Sequence, residues 1–245
     1  MIEWQDNGIV LSVRPYGESS SIASILTMNN GRYAGLVRSV NSANVRAALQ
    51  PGNLVTVIWK ARIADHLGSF KVELLTSNAA GFFDDPLKLA GLSAVLSVCE
   101  QALPEREPLV PVYEGLLVLF AHMSCQDEGI WLATYIQWEI GFLAELGFSL
   151  ELFQCAVTGS LEDLTYVSPK TGRAVSKDAG FNYRSKLLSL PSFLTSRGFM
   201  DPTEFVDGLK LTGYFLTSHV FAPYNKPAPP ARDRFEERVL RKYGS

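Results

Sequence analysis

At Asp84-Asp85-Pro86 the apolar residues of this chain change period, and that break constrains the fold more than any other feature. Ahead of it they come in short runs separated by turn formers; behind it they recur every three or four residues. Residues 8–14 are β-rich and end at Pro15-Tyr16-Gly17, and residues 21–27 stop at Asn29-Asn30-Gly31, where Asn-Gly is a strong hairpin signal. A third run covers 32–38, a fourth opens after Pro51-Gly52 and covers 54–62, and a fifth at 69–75 alternates Phe70, Val72 and Leu74 against Lys71 and Glu73. Five short antiparallel strands in about eighty residues suit a small closed barrel, of which the OB-fold is the commonest; a small sandwich is the competing arrangement.

Beyond the break, Asp85 as N-cap and Pro86 at the first helical position start a helix that Pro104 ends. Pro108 and Pro111 precede a second helix bearing Tyr113, Leu116, Leu117, Phe120 and Met123. Asp127 caps a third, with one apolar stripe through Ile130, Ala133, Ile136, Ile140 and Leu143 and another through Trp131, Tyr135, Trp138 and Phe142. Apolar residues on more than one side put this helix at the centre of a bundle. Residues 166–175 read as a hairpin, and Asp201-Pro202-Thr203-Glu204 as an N-cap, a first-turn proline and a capping-box acid. A proline-rich connector at 223–230 leads to a basic helix at 232–243. The class is therefore α+β: a five-stranded unit over 1–80, an OB-fold β-barrel in the leading reading with the sandwich still open, then an α-helical domain over 81–245 with a small β-hairpin insertion at 155–180.

The net charge of −3 hides a strong asymmetry. Residues 1–80 carry +2, residues 81–165 carry −11 and residues 166–245 carry +6, so basic ends flank an acidic middle. The start Met1-Ile2-Glu3-Trp4-Gln5-Asp6 is acidic and lacks the apolar run of a signal peptide. No apolar run is long enough to cross a bilayer, so no membrane is expected as a partner. Cys99, Cys125 and Cys155 are widely spaced and odd in number, which points to a reducing, cytoplasmic compartment. Nucleophile-elbow, phosphate-loop, dinucleotide and zinc-protease motifs are all missing. His66, His122 and His219 stand apart, and the acidic pairs Asp84-Asp85, Asp127-Glu128 and Glu162-Asp163 sit at helix starts or in loops. The residues point away from an enzyme, and no cofactor is expected.

An OB barrel holds single strands by combining a basic groove with aromatic platforms. Arg14, Arg32, Arg38, Arg46, Lys60, Arg62 and Lys71 are the phosphate candidates, with Tyr16, Tyr33, Trp59 and Phe70 for stacking. Trp59 and Phe70 lie in strands, where core is the commoner place for such rings.

Several strings in order carry a likeness to a known family: Gly35-Leu36-Val37-Arg38, Leu49-Gln50-Pro51-Gly52-Asn53, Trp59-Lys60-Ala61-Arg62, His66-Leu67-Gly68, residues 162–164, 167–176 and 234–238. Together they resemble the RecO family, particularly its alphaproteobacterial members, over essentially the full chain. The resemblance implies DNA repair and recombination: binding to single- and double-stranded DNA, annealing of complementary strands, and help in loading recombinase. It also implies a nucleoid-associated place and partnership with RecR and with the acidic tail of the single-strand-binding protein. For that tail, charge and apolar content point to Arg197, Lys210, Phe199 and Phe215. The chain departs from the family twice. Asn41 and Asn44 stand in a loop that is rich in glycine and arginine in the relatives, which favours a second reading, a protein-interaction adaptor with weak nucleic-acid affinity. In the zinc-finger-like insertion at 155–180 only Cys155 remains, with Thr158, Ser176 and Ala179 near the places of the other ligands. No metal is expected there.

Overall fold

The computed structural model describes residues 2–63, 66–125, 127–195 and 201–244. The chain divides into two compact units. One runs to Glu114 and takes in Pro229–Arg232; the other comprises Gly115–Ala228 and the chain from Asp233 onward.

The first unit contains β1 (Ile2–Pro15), β2 (Ser20–Thr27), β3 (Gly31–Arg38), β4 (Leu54–Ala61) and β5 (Ser69–Thr76), with a short helix, α1 (Ala43–Ala48), between β3 and β4. Among the described residues these strands close in the order β1-β2-β3-β5-β4, with β4 pairing back onto β1 from Ile2↔Ala61 to Ile9↔Leu54. The β3–β5 seam is parallel and thin, made by Leu36↔Ser69 and Val37↔Phe70. This is the five-stranded OB-like architecture read from the sequence, and the sandwich alternative falls. Inward-facing Val10, Ile25, Val37, Val55, Val57, Trp59 and Phe70 fill the barrel, and Ala48 and Leu49 close it from α1. β1 begins six positions earlier than the sequence pattern suggested, because Asp6 occupies an inward position and interrupts the apolar alternation. Its carboxylate accepts from the Asn29 amide (2.8 Å) and from the side chains of Asn29 (3.0 Å) and Asn30 (2.8 Å), and so fixes the β2–β3 turn. Gly31 ends that turn at φ +77°, where a Cβ would land on the Glu107 carbonyl.

Helix α2 (Pro86–Ala102) starts as expected: the Asp85 carboxylate accepts from the amides of Leu87 (2.9 Å) and Lys88 (3.0 Å). Such a cap contributes about 1 kcal/mol. Helix α3 (Val110–Met123) begins in the first unit and ends in the second.

The second unit is built around α4 (Glu128–Glu145), capped by Asp127 and buried on several sides by Trp131, Tyr135, Ile136, Trp138 and Phe142. Phe235 of α7 (Pro230–Tyr243) packs on Trp131 and Tyr135, with ring centroids 6.0 and 4.6 Å apart. From α6 (Glu204–Phe215) Thr212 donates its hydroxyl to the buried Glu139 carboxylate. The hairpin is present as β6 (Leu164–Val167) and β7 (Ala174–Ser176), followed by a one-turn α5 (Lys177–Gly180) and joined by a further strand, β8 (Leu188–Ser189).

Two local expectations are corrected in this unit. With no metal expected, the sequence leaves the hairpin to be held by packing around Phe153, Leu164, Tyr166 and Val175; Phe153 does not take part, for it is 66% exposed, while Val167, Ala174 and Val175 form the buried face. Glu204 does not close a capping box either. Its carboxylate accepts from the Ser192 amide (2.9 Å) and hydroxyl (2.8 Å), and Asp201 instead holds Thr203. α6 then widens into a π-helical turn at Leu216–Phe221. Among the described residues no helix is long and apolar enough to cross a membrane.

Candidate nucleic-acid interface

The closure of the barrel places three cations from three strands on one outward face. Ser69 pairs with Lys60 on one side and with Leu36 on the other. Because β3 and β5 run parallel, the next outward residues along them are Arg38 and Lys71. The result is a groove of about 410 Å³ in which Arg38, Lys60 and Lys71 surround an aliphatic floor of Leu36 and Ile58. Val45 of α1 forms one wall, and exposed Arg46 is its neighbour in the chain. Lys60 is paired with Glu3 (2.9 Å), both side chains 48% exposed, and Lys71 with Glu73 (3.1 Å), which are more exposed still. Exposed pairs of this kind contribute about 0–1 kcal/mol, so a phosphate can displace either carboxylate at little cost. Among the described residues Arg38 and Arg46 have no ion pair.

The remaining candidates separate by geometry. Arg14 and Arg62 are exposed, Arg14 at the β1–β2 turn beside Tyr16, which is 59% exposed. The register brings that turn to the Arg38 end of β3, since Tyr16 donates to the Ser20 carbonyl (2.9 Å) and Ser20 pairs with Arg38. Arg32 is a correction: its Nε donates to the Leu103 carbonyl (3.0 Å), its guanidinium lies 3.6 Å from Glu105, and only 14% of its side chain is exposed. It ties β3 to the segment after α2 and does not face a ligand. Tyr33 is half-buried between Trp4 and Trp59, with the Arg106 guanidinium 5.3 Å above its ring. Neither Tyr33 nor the interior rings of Trp59 and Phe70 offer a free face to a base.

Residues 1–78 match the family described as Recombination protein O N terminal, and residues 84–228 match Recombination protein O C terminal. The DNA repair protein RecO of Rhodospirillum rubrum is 48% identical over 246 residues, 98% of each chain. That of Rhodospirillum centenum is 46% identical, covering 97% of this chain and 94% of the relative, and that of Cereibacter sphaeroides is 43% identical over 98% and 100%. The chain belongs to the RecO family. That membership places it among DNA repair and recombination proteins.

Set beside the RecO pattern, the insertion shows what replaces the implied metal ligands. Cys155 is buried, with the Ser176 amide 3.3 Å and the Ser176 hydroxyl 3.4 Å from its sulfur. Burial pushes the thiol up, but hydrogen bonds from the side chains and backbone of Ser176 and Thr158 together outweigh it and bring Cys155 down to about 6. Around Cys155 stand one thiol and two hydroxyls, a donor set that does not fit a structural zinc, which needs four thiolate or imidazole ligands. Among the described residues no other cluster of His, Cys, Asp or Glu could hold a metal.

Of the residues assigned to the acidic tail in RecO-like proteins, Arg197 and Phe199 lie outside the described residues. Phe215 is 2% exposed and stacks on His219 in the interior, so it cannot line a surface pocket; Lys210 is exposed on α6. Phe181 and Tyr183 are exposed at 59% and 62%, with the Arg184 guanidinium 5.3 Å from the Phe181 ring.

Proposed function

We propose that the chain acts in DNA repair as a non-catalytic recombination mediator, which binds DNA through the barrel groove and anneals complementary strands. The observation that carries this reading is the groove itself: cations on its rim, aliphatic residues on its floor, and its aromatic ring, Phe70, turned inward. Such a surface neutralises phosphates while leaving base edges free, as annealing of mutually repelling strands requires. Arg38, Arg46, Lys60 and Lys71 hold the backbone, with Arg14, Arg62 and Tyr16 extending the track. Help in loading recombinase onto DNA coated by single-strand-binding protein, with RecR as a further partner, belongs to the same proposal, as does a cytoplasmic, nucleoid-associated place. For the protein's acidic tail the supporting surface is Arg184 and Lys186 beside Phe181 and Tyr183, because a tail ending in apolar residues needs a cation next to an apolar seat. The two paired lysines and the asparagines of loop 39–46 favour the adaptor as second reading.

One experiment separates these. Anisotropy of a labelled single strand against salt is measured for Arg38→Glu/Lys60→Glu/Lys71→Glu. A loss of about 2 in the slope of log affinity against log salt, near 0.7 per contact, is expected, together with slower annealing. An unchanged slope overturns the assignment. In a parallel arm Arg184→Glu weakens binding of an acidic tail peptide and leaves oligonucleotide binding intact; equal peptide binding removes that surface.

A further inference from the structure

A second groove, of about 360 Å³, lies between α2 and the barrel and shares no residue with the cationic one. Leu11, Pro51, Phe83, Leu89 and Leu96 give it an apolar lining, and Phe83 is 57% exposed at its edge. Two of its three serines are turned to the helix: Ser93 donates to the Leu89 carbonyl (2.8 Å) and Ser97 to the Ser93 carbonyl (2.6 Å). The only charged side chain in the lining is Glu100. Its Oε2 is shielded from solvent and has no hydrogen-bond partner. A carboxylate oxygen withdrawn from water without a donor is costly; a turn of the part-buried Glu100 side chain toward the groove lets a cation brought from outside supply that donor as a charge-assisted bond.

We infer that this groove is a docking site for a segment of a partner protein that presents a large apolar side chain beside an arginine or lysine. An apolar seat with one unpaired charge and a polar rim has the makeup of an anchor pocket at a protein interface. Its volume lies near the lower end of ligand pockets, room for an anchoring side chain and its neighbour. Complementarity fixes the sign of the occupant: the lining has no cation to receive an acidic segment, and residues 81–114 of the same unit carry −4. Because the two grooves are disjoint, the partner binds while DNA is held.

The test is to pan a random peptide library against the full chain and measure the enriched peptides by anisotropy. Enriched sequences are expected to join a large apolar residue to Arg or Lys. Their affinity should fall roughly tenfold in Glu100→Gln, the magnitude of one charge-assisted hydrogen bond. Ser93→Trp, which fills the groove from an exposed helix position, should abolish binding, and both variants should bind oligonucleotides as wild type does. The inference is overturned by peptides that lack a cation, by binding that survives Ser93→Trp, or by no enrichment over the Ser93→Trp protein. Sedimentation of the wild type as a dimer that Ser93→Trp dissociates would also overturn it, since the occupant would then be a second copy of the chain.

Discussion

The barrel and the small sheet of β6, β7 and β8 are both built from short strands, yet they are held in different ways. Barrel strands of eight residues or more pair on both edges and enclose their own core, so their outward faces can carry Arg38, Lys60 and Lys71. The small sheet has strands of four, three and two residues, and leans on buried Val167, Ala174 and Val175 and on the hydrogen bonds around Cys155. Where ladder and core carry stability, the surface is open to a ligand; where the implied metal ligands are gone, polar contacts take over as the staple. Glycine substitutions expose this difference most strongly. Gly31→Val forces a β-branched residue into positive φ and drives its Cβ into the Glu107 carbonyl, so a loss of about 3 kcal/mol or more is expected in urea unfolding. Gly159, also at positive φ (+72°), has nothing closer than Gln154 Nε2 at 3.7 Å. Gly159→Ala should therefore cost only about 1–2 kcal/mol, the left-handed backbone alone. Equal losses at the two sites would mean that the barrel is no more tightly determined than the turn around Cys155.

Cys155 sharpens the comparison through pH. Its folded value of about 6 lies below the ordinary thiol value of 9.0. A depressed acid stabilises the fold fully above its unfolded value and loses that contribution as pH falls through the folded one. The gap in urea midpoint between wild type and Cys155→Ser should therefore widen from pH 6 to pH 9. A gap of about 1–2 kcal/mol is expected at the alkaline end, and a smaller one at pH 5. A gap independent of pH would show that Cys155 acts by packing alone. The barrel, whose interior holds no cysteine, should show no matching change over this range.

The same contrast explains what the sequence could disclose. β2 to β5 are legible because alternation and the Asn29-Asn30-Gly31 turn repeat the physical pattern of the strands. The first half of β1 is hidden by an inward aspartate, α1 is too short for its period to register, and β8 is a two-residue strand. The site was half visible. Arg32 and Arg38 occupy equivalent outward positions on β3, and nothing local distinguishes them. Their fates differ because Leu103 and Glu105, distant in sequence, come to lie beside Arg32. Likewise the meeting of Arg38 with Lys60 and Lys71 depends on the parallel β3–β5 seam, a closure that composition and period do not encode. Glu100 is one acid among thirteen in its stretch until burial leaves its oxygen unpartnered.

The smallest effect expected is at Phe153, and it tests whether exposure separates the two regions as cleanly as their geometry implies. In sequence Phe153 and Phe70 are alike, aromatic residues within short β-rich or loop segments. Phe70 is 5% exposed inside the barrel, whereas Phe153 stands 66% exposed on the loop before Cys155. Removing a buried ring forfeits both its transfer free energy and the packing around it, so Phe70→Ala should cost about 3–5 kcal/mol. A ring already in water has little to lose on folding, and surface substitutions usually stay within about 0.5 kcal/mol. Phe153→Ser should therefore leave the urea midpoint within error, and should also leave the titration of Cys155 unchanged, because none of the groups bonded to that sulfur comes from Phe153. A loss above 1 kcal/mol would mean that Phe153 packs onto the hairpin in solution, and the sheet would then possess an apolar staple in addition to its polar one.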